Sequence, residues 1–435
     1  FVSKFSLNII SLLRIILFRI FNPKLNTTVF RTSNNFFKGQ KYDYRISKFI
    51  QEADKQNKEI CFFIRTRHRF IKIIKHYLQR DRLSIFSDNI DQICYFLSFL
   101  KIKIISKINK SYKNKMMVSD FHEFLERVIF DKHYIRVNSI QYSSAIFSFV
   151  YYLLNTKYAF LDNTSRSIMA FLSAKKMNLT TIYFQNGCDF EFNLINYFIN
   201  NPKTKKLKLF AHDQYHVWNS YWQENLINNG KVYGYSDTFI SGYWRDQRHK
   251  DDNSDVFKLE KYKKNNKDKV ILFLIENETP VKEITPYIEI LLENEFKIDF
   301  KLRPQQKDAG DNTYDLICKQ IKKIDLFKNK TSTIDCTIDE IEKDKYICAL
   351  GSYTTSLIDC LIMGINVLLI NTTTWGDCFC ITKDSKAKEL FCQKPTDLII
   401  KLESINEKIS RQQYLYDLLL PINKPTFIEN LVQKL

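Results

Sequence analysis

The chain changes its hydrophobic rhythm along its length, and each rhythm predicts an element. Residues 270–275 (VILFLI) are apolar throughout, which predicts a strand buried on both faces. Residues 281–295 place Ile284, Tyr287, Ile288 and Leu291 at helical spacing, and residues 296–302 (FKIDFKL) return to a strand. The alternation continues with a helix over 314–324, a strand over 346–350, a helix over 355–363 and a strand over 367–370. Alternating strands and helices with fully apolar strands predict a parallel sheet covered on both faces.

The first half shows the same alternation less regularly. Strands are predicted at 60–64, 158–161, 180–184, 207–211 and 238–241, and helices at 70–79 and 165–176. Residues 85–150 look mostly helical. Residues 5–21 (FSLNIISLLRIILFRIF) form an amphipathic helix in which Lys4, Asn8, Ser11 and Arg14 share one face, opposite Leu, Ile and Phe. Its longest uncharged run is far short of the ~20 residues a membrane span needs. It fits an anionic membrane surface and the protein's own core alike.

Between the two halves, residues 245–268 are almost entirely polar and read as a linker. The predicted organisation is therefore α/β: an amphipathic helix over 1–25, a Rossmann-like doubly wound domain over 26–244, the linker, and a second such domain over 269–435. Its last helix is expected to pack back on the first domain. Two doubly wound sheets facing each other leave a cleft between their strand carboxyl ends, where ligands bind in open α/β sheets.

Charge changes this picture in one place. The net charge is +18, yet residues 1–110 hold 22 Lys/Arg against 7 Asp/Glu, a surplus of 15. Such a region suits an anionic lipid or an acidic polymer; without any recognisable binding module, nucleic acid is the weaker reading. The ten cysteines are scattered through apolar runs. This reads as reduced thiols of a cytoplasmic protein, with no metal site and no disulfide framework.

Candidate chemistry gathers at predicted strand ends. After the strand at 346–350 comes Gly351-Ser352-Tyr353-Thr354-Thr355-Ser356, then a helix bearing Asp359. Hydroxyls, backbone N–H groups and a helix start suit a nucleotide phosphate, although the same residues also cap a helix. Asp359 suits a ribose hydroxyl. Arg303 and Gln305, after the strand at 296–302, suit a diphosphate. Glu276 suits a sugar hydroxyl or a solvated turn. In the first half, Asn186 and Gly187 end a strand, and Asp189 and Glu191 follow as candidate bases toward an acceptor hydroxyl. His212 is a further candidate base, and Arg65 and Arg67 suit an anionic acceptor.

The run Thr180–Gly187 (TTIYFQNG) resembles the Gln-His-Gly-like turn of GT-B surface-polysaccharide transferases, with Asn186 in place of the His. Tyr353-Thr354-Thr355-Ser356-Leu357-Ile358-Asp359 resembles the Tyr-Ser-Ser-x-x-x-Asp stretch of CDP-glycerol glycerophosphotransferases. It is also similar to the Ser-Ser motif of capsule sialyl- and Kdo-transferases. The likeness covers roughly residues 155–400. It departs where those families carry His-Pro, because Arg303-Pro304-Gln305-Gln306 stands there. The resemblance implies the GT-B architecture and a glycosyltransferase that needs no cofactor or metal. A CMP- or UDP-linked sugar donor would sit on the second domain, and a lipid-linked or glycan acceptor on the first, at the inner face of the cytoplasmic membrane. A CDP-linked polyol-phosphate transferase and a non-catalytic nucleotide-binding relative remain alternatives.

Overall fold

The computed structural model describes residues 2–33, 46–65, 83–108, 121–161, 168–185, 211–230, 233–244, 269–275, 281–302, 313–321, 324–334, 336, 338–352, 354–374, 376–405, 409–420 and 426–435. The expected helix over 70–79 and linker over 245–268 lie outside them, as do Arg67, Asn186, Gly187, Asp189, Glu191, Glu276, Arg303, Gln305 and Tyr353.

The described residues form two parallel sheets. The first has seven strands in the order β3-β2-β1-β4-β5-β6-β7. They are β1 (Thr27–Ser33), β2 (Glu59–Arg65), β3 (Ser84–Ile85), β4 (Tyr158–Phe160), β5 (Thr180–Phe184), β6 (Gln214–Val217) and β7 (Thr238–Ile240). The second has six in the order β10-β9-β8-β11-β12-β13. They are β8 (Val270–Leu274), β9 (Lys297–Lys301), β10 (Thr331–Ile334), β11 (Tyr346–Gly351), β12 (Val367–Ile370) and β13 (Phe391–Cys392). In both sheets the order reverses beside the first strand, the switch point at which a crevice opens along the carboxyl edge.

Helices cover both sheets. Those used below are α1 (Val2–Phe21), α2 (Ser47–Lys55), α3 (Ser87–Ile108), α4 (Phe121–Leu154), α5 (Ile168–Lys176), α6 (Ser220–Gly230), α7 (Val281–Glu293), α8 (Thr313–Gln320), α9 (Ile324–Lys330), α10 (Ser356–Ile362), α11 (Pro395–Glu403), α12 (Ile409–Leu419) and α13 (Thr426–Lys434). Every residue of β8, β11 and β12 is buried, as fully apolar central strands require. In α7 the buried Ile284, Tyr287, Ile288, Leu291 and Leu292 follow the helical period.

Two connections tie the halves together. Trp222 of α6 is fully buried and donates its indole N–H to Leu419 O of α12 at 2.9 Å. Tyr221 donates to Phe379 O at 2.6 Å and Asn219 to Leu418 O at 2.9 Å. Trp218, Trp222 and Tyr243 of the first half share one apolar cluster with β8, β11 and α12 of the second. The last helix returns to the first half. Ile428, Leu431 and Val432 of α13 join Phe30, Phe49 and Phe160 in that domain's core. Lys58 Nζ and Gln56 Nε2 donate to the backbone carbonyls of Gln433 and Glu429.

Candidate functional site

The loop after β11 lies at the carboxyl edge of the second sheet. The ring of contacts around Gly351 explains the residue. A Cβ there would stand 2.9 Å from Thr354 Cγ2 and 3.3 Å from Leu357 Cδ1. The space that a side chain would need is filled by the loop's own atoms, so the glycine serves close strand-to-helix packing here. Ser352 and Thr354 are buried. Thr354 Oγ1 accepts the Ser356 N–H at 3.2 Å, and Thr354 O accepts the Leu357 N–H. Thr355 stands at the N-cap with helical backbone and makes no side-chain cap bond. The simple cap expected from the sequence is thus carried by Thr354, one residue earlier. The helix it opens runs over Ser356–Ile362, shorter than the 355–363 expected.

Asp359 of α10 faces the other domain. Tyr243 Oη donates to its Oδ1 at 3.4 Å. Tyr243 is fully buried, follows the carboxyl end of β7, and packs edge-on against Trp218 with centroids 5.0 Å apart. The carboxyl edges of the two sheets therefore meet at this pair. Gly242, with φ +78, makes the turn that points Tyr243 inward, a conformation that a β-carbon disfavours.

A cation that the sequence reading passed over sits at the same edge. Lys301 ends β9, is buried, and donates to Leu302 O at 2.8 Å. Burial pushes the Cys360 thiol up, Asp359 adds to that rise, and the Lys301 charge opposes it. Lys301 thus lies close enough to Cys360 of α10 to act on it. A lysine inside an apolar strand such as FKIDFKL looks like an ordinary edge residue, and only its position against α10 marks it. Asp299, two residues earlier, is held by three side chains. It accepts from Ser332 at 2.5 Å, Tyr346 at 2.9 Å and Lys345 at 2.5 Å, and ties β9 to β10 and to the start of β11.

At the carboxyl edge of the first sheet, Gln185 directly follows β5. Its Oε1 accepts the Trp218 N–H at 3.1 Å, and its carbonyl accepts the Trp218 indole at 2.8 Å. Beside it Trp244 stacks on Phe184 at 4.9 Å and on Phe49 at 5.2 Å. This aromatic stack fixes the carboxyl edge at β5. Arg65 is the last residue of β2, paired in register with Ser33 at the same edge.

His212 lies elsewhere. The strand expected at 207–211 lies, but for Ala211, outside the described residues, and His212 stands two residues before β6 (Gln214–Val217). That puts it at the amino edge, away from the cleft. It is buried between Phe171 (4.7 Å) and Tyr183 (5.3 Å), and burial lowers its pKa to about 3, with Lys175 adding to the effect. A neutral imidazole packed among aromatics is a core residue. Its neighbour Asp213 is likewise structural. Burial raises its carboxyl, but bonds from Lys175 and from the Thr181 N–H and hydroxyl outweigh that and hold it below the usual range. His216 is buried too, lowered to about 3 by burial and by Lys434 of α13.

Both histidines are depressed in the folded state, so the unfolded chain binds more protons. Stability present above about pH 6.5 is lost as pH falls toward 3, by roughly 1.4 kcal/mol per pH unit for each histidine. Urea midpoints should therefore fall between pH 6.5 and pH 5, before ordinary carboxylates titrate. His212→Leu should roughly halve that slope; an unchanged slope would remove His212 from the explanation.

The nine described cysteines are free thiols, and no group of three or more metal-ligating side chains occurs among the described residues. Cys378 and Cys380 are both buried.

Solved structures share this arrangement along nearly the whole chain. A glycosyltransferase from Rickettsia africae superposes with a TM-score of 0.51 at 11% identity, covering 94% of this chain and 97% of the other. A putative UDP-N-acetylglucosamine 2-epimerase from Listeria monocytogenes matches with a TM-score of 0.51 at 10% identity, over 93% and 94%. The fold is GT-B. The Anabaena protein HepE, solved in complex with UDP and glucose, matches with a TM-score of 0.50 at 9% identity, over 94% and 98%. No protein-family model and no curated relative matches the sequence. In this GT-B chain, the return of α13 to the first domain and the meeting of both carboxyl edges follow from the same two-sheet plan.

Proposed function

We propose that the chain is a glycosyltransferase of cell-surface polysaccharide synthesis, taking a sugar from a UDP- or CMP-linked donor without a metal. The observation that carries this reading is the convergence of the two carboxyl edges at the Tyr243–Asp359 contact, with the buried Lys301 cation at the end of β9 in the second sheet. In this reading the loop Gly351–Ser356 and Lys301, joined by Arg303, Gln305 and Glu276, bind the donor's phosphates and sugar. Positive charge at that place favours departure of the nucleotide phosphate as the sugar–phosphate bond breaks. Asp359 orients the nucleotide side. Asn186, Gly187, Arg65 and Arg67 line the acceptor side, and Asp189 or Glu191 takes the proton of the attacking hydroxyl. The acceptor is a lipid-linked or glycan hydroxyl, met at the inner face of the cytoplasmic membrane.

A thermal-shift panel of UDP, CMP, CDP and dTMP tests it. One pyrimidine nucleotide should raise Tm, and the shift should vanish in Thr355→Ala and Arg303→Ala. A response to CDP alone would favour a polyol-phosphate donor. No response to any nucleotide would sink the proposal.

A further inference from the structure

The first helix docks on the core through Ile15, Leu12 and Phe18, yet much of its apolar surface stays outside. Its polar residues Asn8 and Ser11 are buried with Ile15, while Ile9, Ile10, Leu13, Leu17, Ile20 and Phe21 are 43–77% exposed. At ~100° per residue those six side chains fall in one arc of about 120°. The orientation has an identifiable cause. Asn8 Oδ1 accepts the Phe86 N–H at 3.1 Å, and Asn8 Nδ2 donates to Phe86 O at 3.4 Å. Rolling α1 to hide its apolar arc would break both bonds and strand a buried backbone pair.

Charge identifies the occupant of that face. Residues 1–26 carry Lys4, Arg14, Arg19 and Lys24 and no acidic residue. Lys24 is exposed just past the helix. An apolar arc framed only by cations matches an anionic lipid headgroup layer, in which apolar side chains enter the acyl boundary and cations stay among phosphates. A second protein surface would give no reason for the one-sided charge. None of the helices among the described residues is long and apolar enough to cross a membrane, so the contact is peripheral.

Placement gives this surface a role. Phe86 lies immediately past the carboxyl end of β3, so the amino-terminal half of α1 is clamped at the carboxyl edge of the first sheet. That is the edge assigned above to the acceptor. We infer that α1 lies flat on an anionic bilayer through Ile9, Ile10, Leu13, Leu17, Ile20 and Phe21. The cleft mouth is thereby held at the membrane, and the acceptor is lipid-linked. The acceptor part rests on the proposed transferase reading; the docking surface does not.

The test uses the full chain with vesicles of phosphatidylglycerol mixed with phosphatidylcholine, and with vesicles of phosphatidylcholine alone. The protein should sediment with the mixed vesicles only, and less as salt is raised. Leu13→Asp with Leu17→Asp should cut binding by about tenfold or more per site, since each leucine then leaves the acyl boundary. Both side chains are exposed, so the variant should keep the parent's melting curve and its nucleotide-induced shift. Failure of the wild type to bind mixed vesicles, or unchanged binding in the variant, overturns the docking surface. A dimer in sedimentation velocity that the variant dissolves, without vesicle binding, also overturns it and assigns the face to a second copy. Vesicle binding without any nucleotide response would instead leave the surface intact and defeat the transferase reading.

Discussion

Trp222→Ala should lower unfolding stability by about 3–5 kcal/mol and split one cooperative transition into two. The indole is fully buried, touches Trp218 and Phe379, and bonds the Leu419 carbonyl. Its removal leaves a cavity where the apolar cluster passes from one sheet's helices to the other's, and it orphans a carbonyl at the end of α12. Circular dichroism followed through a denaturant series is the suitable measurement, because fluorescence would lose one of its own reporters. Trp222→Phe keeps most of the apolar volume and should restore a single transition with a smaller loss. If Trp222→Ala kept one sharp transition at the parent midpoint, the α6–α12 contact would not be what couples the halves.

Lys301→Met should weaken binding of the most stabilising nucleotide by about 10–100-fold, the equivalent of one charge-assisted hydrogen bond of roughly 1.5–3 kcal/mol. Methionine matches the lysine stem in length and removes the charge together with the donor to Leu302 O. The replacement also strips the Leu302 carbonyl of its donor, so the melting temperature without nucleotide should fall modestly. The nucleotide-induced shift, taken from each variant's own unliganded melting temperature, separates a ligand role from a structural one. Isothermal titration of the two proteins reads the affinity directly. Equal affinities would leave the Gly351–Ser356 loop without Lys301 as a partner.

The parallel α/β plan was legible because its central strands are apolar on both faces and leave little choice of element. β8, β11 and β12 fall within a residue or so of their expected bounds. The short strands were not legible in the same way. β6 contains Gln214 and His216 and carries little apolar signal, so it was not expected, and nothing in the sequence placed His212 at its amino end. β10 (TSTI) has no apolar run at all; it forms because it pairs with β9 and shares Asp299 through Ser332. At the site, the hydroxyl-rich loop was visible from its composition. Its geometry was not, since the crowding at Gly351 and the turn made by Thr354 depend on how Leu357 packs. Tyr243 and Lys301 were overlooked for a related reason. Each belongs to a strand end whose significance comes only from an element more than 50 residues away, and local patterning carries no such information. The helix over 5–21 was legible as amphipathic, but Asn8 decides which face turns inward, and its partner Phe86 is 78 residues distant.

The return of α13 has a consequence for biosynthesis. Residues 426–435 are made after the entire second domain, yet Ile428, Leu431 and Val432 complete the core around Phe30 and Phe49. The hydrogen bonds that hold them span 373 and 375 positions. The first domain therefore leaves the ribosome with an open seam along α2 and the β1–β5 face, and it waits for the rest of the chain to close it. Contacts this distant form slowly and expose apolar surface in the interval. Nascent chains halted before residue 426 should be the form that chaperones hold longest.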